Sequence, residues 1–522
     1  MSLKHPKIEM DDEKVRAFLQ RAQNNLDPDD FAFLSVLVGT LSFLGGLVEK
    51  KSSAIVRLLR LTFGFKTEKK ERIFKEAKAP GAERSPGKGH GRNGVRRYPG
   101  AARVTVLHKD LRAGNRCPEC LKGKLHPVDP GISMRFFATA PIQLTIYLLE
   151  KLRCNLCGEV YTAEKPAEAG EQKYDETVAA MVAVSKYGGG FPFNRMEKLQ
   201  ENCGVPLAAS TQWELVHEGA QTCKPVYAEI IRQGAQSDIF YQDDTGNRIV
   251  SVNKGNGGKG DENTKQRKGV FTTGIVCESK DRKIACFFTG NKHAGENLKE
   301  LLKQRLTELS VPIQMCDALA RNMSDEMLTI ICNCLAHGRR NFVDQLHSFP
   351  EEARHVIDVL AGVYHHDDIA KNRGMSPDDR LAFHQEKSGP LLEELKAWME
   401  TRLSEKLVEP NSGMGKAFEY MLKRWDRLTR FLRVAGAPLD NNTVERALKT
   451  VIRHRKNSLY YRTETGAWVG DLFMSLIHTC NLMGVNAFEY ITVLLRNADK
   501  LAADPGRWMP WNYKQNMSEM PP

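Results

Sequence analysis

The chain has 522 residues, 41% of them apolar, with 76 Lys and Arg against 64 Asp and Glu, a formal net charge of +12 and a pI near 9.0. At about 150 residues per domain, that length predicts three or four folded units, and the apolar content excludes a wholly disordered chain. The basic balance makes an acidic partner the first expectation, with nucleic acid ahead of other polyanions.

The N-terminus is polar and mixed in charge, so no secretory leader is expected. The twelve cysteines then read as thiols or metal ligands in a reducing compartment rather than as disulfides. Residues 1–75 read as a helical unit for DNA binding or oligomerisation, with Asp11–Asn24 amphipathic. Phe31–Val48 is uncharged but interrupted by Ser35, Gly39, Thr40, Ser42, Gly45 and Gly46. A buried or self-associating helical segment suits it better than a membrane span. Residues 76–108 form a basic linker rich in Gly and Pro, where Arg92, Arg96 and Arg97 could lie along phosphates.

Residues 109–168 carry the clearest metal signal. Cys117-Pro-Glu-Cys120 and Cys154-Asn-Leu-Cys157 supply four thiolates, the donor set of a tetrahedral structural Zn²⁺. Ile142–Leu149 reads as strand, which predicts a zinc ribbon on a long hairpin, with His126 a bystander. Residues 169–235 are helical. There Arg195–Asn202, a turn at Cys203–Pro206 and Ser210–Gly219 have helix-turn-helix spacing, with Ser210 or Thr211 as cap.

From residue 236 to 340 the pattern becomes strand, strand, strand, helix, strand. Asp238–Gln242 is a short strand ending in Asp243-Asp-Thr245. Gly269–Val276 and Lys283–Phe288 follow it, then a helix over Asn297–Leu309, then Pro312–Cys316 ending at Asp317. The Gly/Lys loop at 254–260 lacks phosphate-loop spacing and reads as a hairpin loop. This order, with acids at two strand ends, predicts a ribonuclease H-like α/β core. Residues 341–436 form an all-helical insertion, in which Tyr364-His-His-Asp-Asp368 reads as surface. Residues 437–500 return to the core, and 501–522 are a tail.

Leu439–Arg462 completes the pattern. With Asn442 as cap, Glu445 falls where a carboxylate can close a capping box. On the same helical face stand Lys449, Arg453 and Lys456, with Tyr460 and Tyr461 beyond them, a candidate track for DNA. Asp243, Asp317 and Glu445 make a set of hard carboxylates of the kind that Mg²⁺ or Mn²⁺ prefers. Two such ions can activate a hydroxyl and stabilise a leaving oxygen at a phosphodiester. Spacing alone leaves their convergence open.

Further motifs run along nearly the whole chain: Phe63-Gly64, Gly89-His-Gly-Arg92, Lys173-Tyr-Asp175, Gly204-Val-Pro-Leu-Ala-Ala-Ser-Thr211, His293-Ala-Gly-Glu-Asn-Leu298, Gln314-Met-Cys-Asp-Ala318, Ala336-His-Gly-Arg-Arg340, Glu409-Pro-Asn-Ser412, Asp440-Asn-Asn442 with Glu445-Arg446, and Gly470–Cys480. With the four cysteines, these make the chain resemble a transposase of the insertion-sequence sixty-six family, DDE-type recombinases of bacterial mobile elements. The resemblance implies that Asp243, Asp317 and Glu445 are catalytic and bind Mg²⁺ or Mn²⁺. Asp244 is an alternative first acid, and Asp243 is preferred because the family pattern places the catalytic acid first in the triplet. It also implies metal-dependent cleavage and strand transfer of double-stranded DNA at terminal inverted repeats. A homo-oligomer, accessory proteins from the same element and a cytoplasmic, nucleoid-associated location follow as expectations, with no membrane partner. Arg339, Arg340, Arg446, Lys449, Arg453 and Lys456 join the linker arginines as candidate DNA contacts. The alternative is a transposase-derived DNA-binding protein without catalysis.

Overall fold

Five strands form a mixed sheet around which the larger part of the chain is built. The computed structural model describes residues 12–23, 27–32, 34–38, 111–116, 118–120, 122–126, 141–153, 160–254, 269–323 and 328–519. The chain divides into one unit of residues 1–73 with 141–522 and a second of residues 74–140.

In the second unit the described residues form a tight turn. Arg116 bridges Lys124 in antiparallel fashion, and the Gly123 N–H donates to Cys120 Sγ at 3.4 Å. In the first unit, β1 (Lys151–Arg153) pairs antiparallel with β2 (Val160–Thr162). The strand expected over Ile142–Leu149 is not one. Ile142 is buried and its carbonyl accepts from Gln200, but residues 143–150 make no strand pairing among the described residues. Apolar content there reflects exposed Leu144, Ile146 and Leu148 rather than a pleated ladder.

The central sheet has the order β5-β4-β3-β6-β7, with β3 Ile239–Asn247, β4 Val270–Glu278, β5 Lys283–Gly290, β6 Ile313–Cys316 and β7 Ile330–Asn333. β3, β4 and β5 are antiparallel neighbours, while β6 and β7 run parallel to β3. β-branched, aromatic and sulfur side chains dominate these strands, and most are buried on both faces because helices cover each side.

Helices α1 (Asp12–Gln23), α2 (Glu176–Ala183), α3 (Phe193–Asn202) and α4 (Ala209–Gly234) precede the sheet. α4 starts at Ala208 without a side-chain cap, so neither Ser210 nor Thr211 caps it. Its buried side carries Val216, Ala220, Cys223 and Ile230, and Tyr227 donates to the Phe287 carbonyl of β5. The expected short recognition-type helix is therefore the first part of a 26-residue core helix. α5 spans Ala294–Leu302 rather than Asn297–Leu309, because His293 and Glu296 close a capping box ahead of it. α6 (Leu335–Gln345) follows β7.

The region between α6 and the last core helices is helical, as expected: α7 Pro350–Asn372, α8 Pro377–Lys387, α9 Gly389–Ser404 and α10 Gly413–Lys423. Asp367 is not surface. It is 2% exposed and takes ion pairs from Lys371 at 2.6 Å and Arg380 at 2.8 Å, with His384 at 3.4 Å. The hydrogen bond with His384, together with the charges of Arg380 and Lys371, holds its carboxyl well below the ordinary range despite the burial.

α11 (Asn442–Ser458), α12 (Glu464–Leu482) and α13 (Ala487–Arg496) return to the sheet. α12 solves the problem of the β5 edge. Asp471, Ser475, Thr479 and Met483 recur every four residues and accept the backbone N–H groups of Thr289, Phe287, Ala285 and Lys283, which recur every two. Those edge donors are otherwise a template for another strand, and a polar helix stripe closes them.

Candidate active site

Asp243 lies within β3, four residues before its end, not at the strand end expected. The pairing with β6 nevertheless stops at Tyr241 opposite Met315, while the pairing with β4 continues to Asn247. Asp243 thus sits where the parallel half of the sheet opens. Extending the register by two places sets Asp317, just beyond β6, beside it on the same face.

Its partner across the antiparallel ladder is Gly274. A Cβ there would stand 3.0 Å from Leu448 Cδ2 and 3.3 Å from Val444 Cγ2. The absent side chain is what lets α11 lie against the sheet at this point. α11 is also fastened at its start. The Asn441 side chain donates to the Gln242 carbonyl at 2.8 Å, and its backbone N–H donates to Cys334 Sγ at 3.3 Å. Further along, Arg455 donates to Thr245 Oγ1 at 3.1 Å.

Glu445 is the fourth residue of this helix, and its N–H already donates to the Asn441 carbonyl. It closes no capping box. The Asp440 carboxylate instead accepts from the Asn442 backbone at 3.1 Å and side chain at 2.7 Å. Glu445 is half-buried and its charge acts on Asp243, while Arg446, Lys449, Arg453 and Lys456 are exposed. Tyr461 departs from the expected track: it is buried and stacks on His454.

Asp243 is mostly buried, and burial pushes its carboxyl up to about 7; the charges of Asp317, Asp244 and Glu445 add to this, against the N–H of Asp244 that it accepts at 2.8 Å. Asp317 Oδ1 accepts from the Leu319 N–H and the Asn322 side chain, and Asn333 donates to its carbonyl. Asp244 projects to the other face of the sheet. It bonds His293 at the start of α5 at 2.9 Å, and Arg321 lies 3.9 Å away.

Three contributors escaped the sequence reading. Gly274 has no local signal, because its importance depends on which residue pairs with Asp243. Asn441 was visible only as a helix cap. His337, from the Ala336–Arg340 motif, stands with Nε2 3.8 Å from Glu445 Oε1. Cys334, His337 and Glu445 could group around an ion. Cys334 suits that poorly: burial pushes its thiol up to about 12, and it accepts backbone N–H bonds from Asn441 and His337. Among the described residues, the ligand atoms that lie within 4.8 Å of one another are those of Cys334, His337 and Glu445, and Asp243 and Asp317 do not join them.

Of the four cysteines expected to hold zinc, Cys120 is described, and the bond from Gly123 to its sulfur is the kind that steadies a thiolate. Cys117, Cys154 and Cys157, with Arg92, Arg96 and Arg97, lie outside the described residues. Arg339 is half-buried and Arg340 exposed, both on α6. Among the described residues, no helix is long and apolar enough to cross a membrane.

The core is a mixed α/β unit that carries Asp243, Asp317 and Glu445 beside a helix with an exposed basic face. The family model "Transposase IS66 family" matches residues 172–468, and the chain belongs to that family of transposases. It is 24% identical over 419 residues to the uncharacterized protein y4jD of Sinorhizobium fredii (strain NBRC 101917 / NGR234), covering 77% of this chain and 78% of that protein. To y4hP of the same strain it is 24% identical over 386 residues, 70% and 67% of the two chains. To y4qI it is 25% identical over 349 residues, 65% and 62% of the two chains.

Proposed function

We propose that this transposase cleaves and joins DNA strands at the terminal inverted repeats of its element through Asp243, Asp317 and Glu445. The observation that supports the reading is the register, in which Asp243 stands where the pairing with β6 ends, two places on from the Tyr241/Met315 pair and so level with Asp317, while α11 packs over its ladder partner Gly274. A cluster of acids at this point is costly alone and is relieved by a cation. The strand order β5-β4-β3-β6-β7, with the first three antiparallel and the last two parallel, supports a ribonuclease H-like core. Divalent ions held there would supply an activated hydroxyl and charge neutralisation at the leaving oxygen.

In this reading the chain's own groups divide the work. Asp243 on β3 and Asp317 just beyond the neighbouring β6 set the spacing of the site. Glu445 closes it from α11, held by Asn441 and by the space at Gly274. His337 positions Glu445 from behind. Lys449, Arg453 and Lys456 carry the phosphate backbone past the acids, each neutralised phosphate steepening the salt dependence of binding. By their spacing in the sequence alone, Cys117, Cys120, Cys154 and Cys157 are the thiolates offered for a structural Zn²⁺.

The test is strand joining with duplex DNA carrying the element's end, in Mg²⁺ or Mn²⁺, with any accessory proteins of the element present. Asp317→Asn should bind this DNA normally yet join it about a thousandfold more slowly, a loss on the order of 4 kcal/mol in barrier terms. Joining at the wild-type rate by Asp317→Asn would remove the assignment. Binding without joining by the wild-type protein would favour a DNA-binding role alone.

A further inference from the structure

Beyond the end of the helix that carries Glu445, the chain makes a turn that is conspicuous for three reasons. Leu459 has φ +67°, one of two non-glycine residues with positive φ among those described. Leu459 is 67% exposed and Tyr460 43% exposed. The exposed cations Arg453 and Lys456 precede them on the helix and the exposed Arg462 follows two residues after Tyr460. A strained backbone that lifts two large apolar groups between flanking basic residues is an arrangement the fold must hold in place.

It is held from both sides. The Leu459 N–H donates to the Arg455 carbonyl at 2.8 Å, closing the helix. The Tyr461 N–H donates to the Arg248 carbonyl, the Val250 N–H returns to Tyr461, and the Ser251 N–H reaches Arg462. The Tyr461 ring is buried and stacked on His454 with centroids 5.1 Å apart. Leu459 and Tyr460 are the apolar groups that project from this pinned turn. A third exposed apolar group adjoins it, because Asn457 donates to the Gly190 carbonyl at 2.9 Å and Phe191 follows, 46% exposed.

We propose that Leu459 and Tyr460 form a wedge that enters the DNA base stack and unstacks a base beside the cut. The proposal rests on the reading of Glu445 as part of the active site. The flanking cations favour a polyanion over an apolar protein partner, and apolar or aromatic groups inserted beside phosphate contacts are how proteins part base steps. Leu459 lies fourteen residues after Glu445, about 21 Å along the helix axis at 1.5 Å per residue. With α11 laid along the DNA axis, that reach is about six base pairs from the scissile phosphate at 3.4 Å per base pair. Phe191 offers a second flat surface for the displaced base.

The test uses full-length protein bound to element-end DNA in Ca²⁺, with 2-aminopurine placed singly at each position from three to nine base pairs from the cut. Wild-type protein should raise its fluorescence about threefold or more near position six, where a base leaves the stack. Asp317→Asn should give the same rise, so a failed catalytic assignment leaves this readout intact. Leu459→Gly relieves the positive φ and removes the side chain. With Tyr460→Ala it should keep or improve thermal stability, lose the fluorescence rise, and cleave normally only DNA already mismatched at that position. Tyr460→Phe should retain the rise. No rise at any position with DNA fully bound, or an unchanged rise in the Leu459→Gly/Tyr460→Ala protein, would overturn the proposal.

Discussion

Asp243→Asn is expected to abolish strand cleavage and joining, by about a thousandfold or more, while Asp244→Asn leaves the chemistry largely intact. A thousandfold corresponds to roughly 4 kcal/mol of lost transition-state stabilisation. The two acids are adjacent, but a strand points successive side chains to opposite faces. Asp243 shares its face with Gly274 and α11, and its carboxyl feels both Asp317 and Glu445. Asp244 is taken up by His293 on the other face. Losing that bond should cost about 1–3 kcal/mol of stability, visible as a lower melting temperature with nearly unchanged joining per folded molecule. The reverse pattern, with Asp244→Asn inactive and Asp243→Asn active, would reassign the first acid.

Gly274→Val should be nearly as damaging to catalysis without touching an acid. Its Cβ alone would meet Leu448 at 3.0 Å and Val444 at 3.3 Å, and its branches would press further into α11. The helix must withdraw, at a cost of about 1–3 kcal/mol in stability. Glu445 moves with it, and a displacement of about 1 Å at a catalytic group can cost about a hundredfold in rate. DNA binding through the exposed Lys449, Arg453 and Lys456 should persist. Adding Leu448→Ala to Gly274→Val opens space on the helix and should restore much of the joining. Full activity in Gly274→Val would mean that the fit of α11 to the sheet does not set Glu445.

What was legible in the sequence, and what was not, divides along the range of the interactions. The three antiparallel strands, the helical insertion and the basic stripe of α11 all write themselves in local periodicity. The start of α4 did not follow from Ser210 or Thr211, nor that of α5 from Asn297, since Ala208 and His293 take the cap positions. Glu445 was open to a capping reading, which the one-residue shift of the helix start removes. Asp367 looked like surface because its neighbours in sequence are polar, yet Lys371, Arg380 and His384 gather round it from two helices. The stripe Asp471, Ser475 and Thr479 lay inside a recognised motif, but its task as an edge cap for β5 needs the sheet order. Gly274 is the clearest case: only the register with Asp243 gives it meaning.

The central claim, that Asp243, Asp317 and Glu445 gather round a shared divalent ion, is tested most directly by loading the protein with Fe²⁺ and generating hydroxyl radicals with ascorbate and peroxide. Backbone breaks should cluster at residues near 243, 317 and 445, fade in excess Mg²⁺ and disappear in the Asp243→Asn/Asp317→Asn protein. Breaks that fall elsewhere in the chain, or that persist unchanged in that double variant, would contradict it.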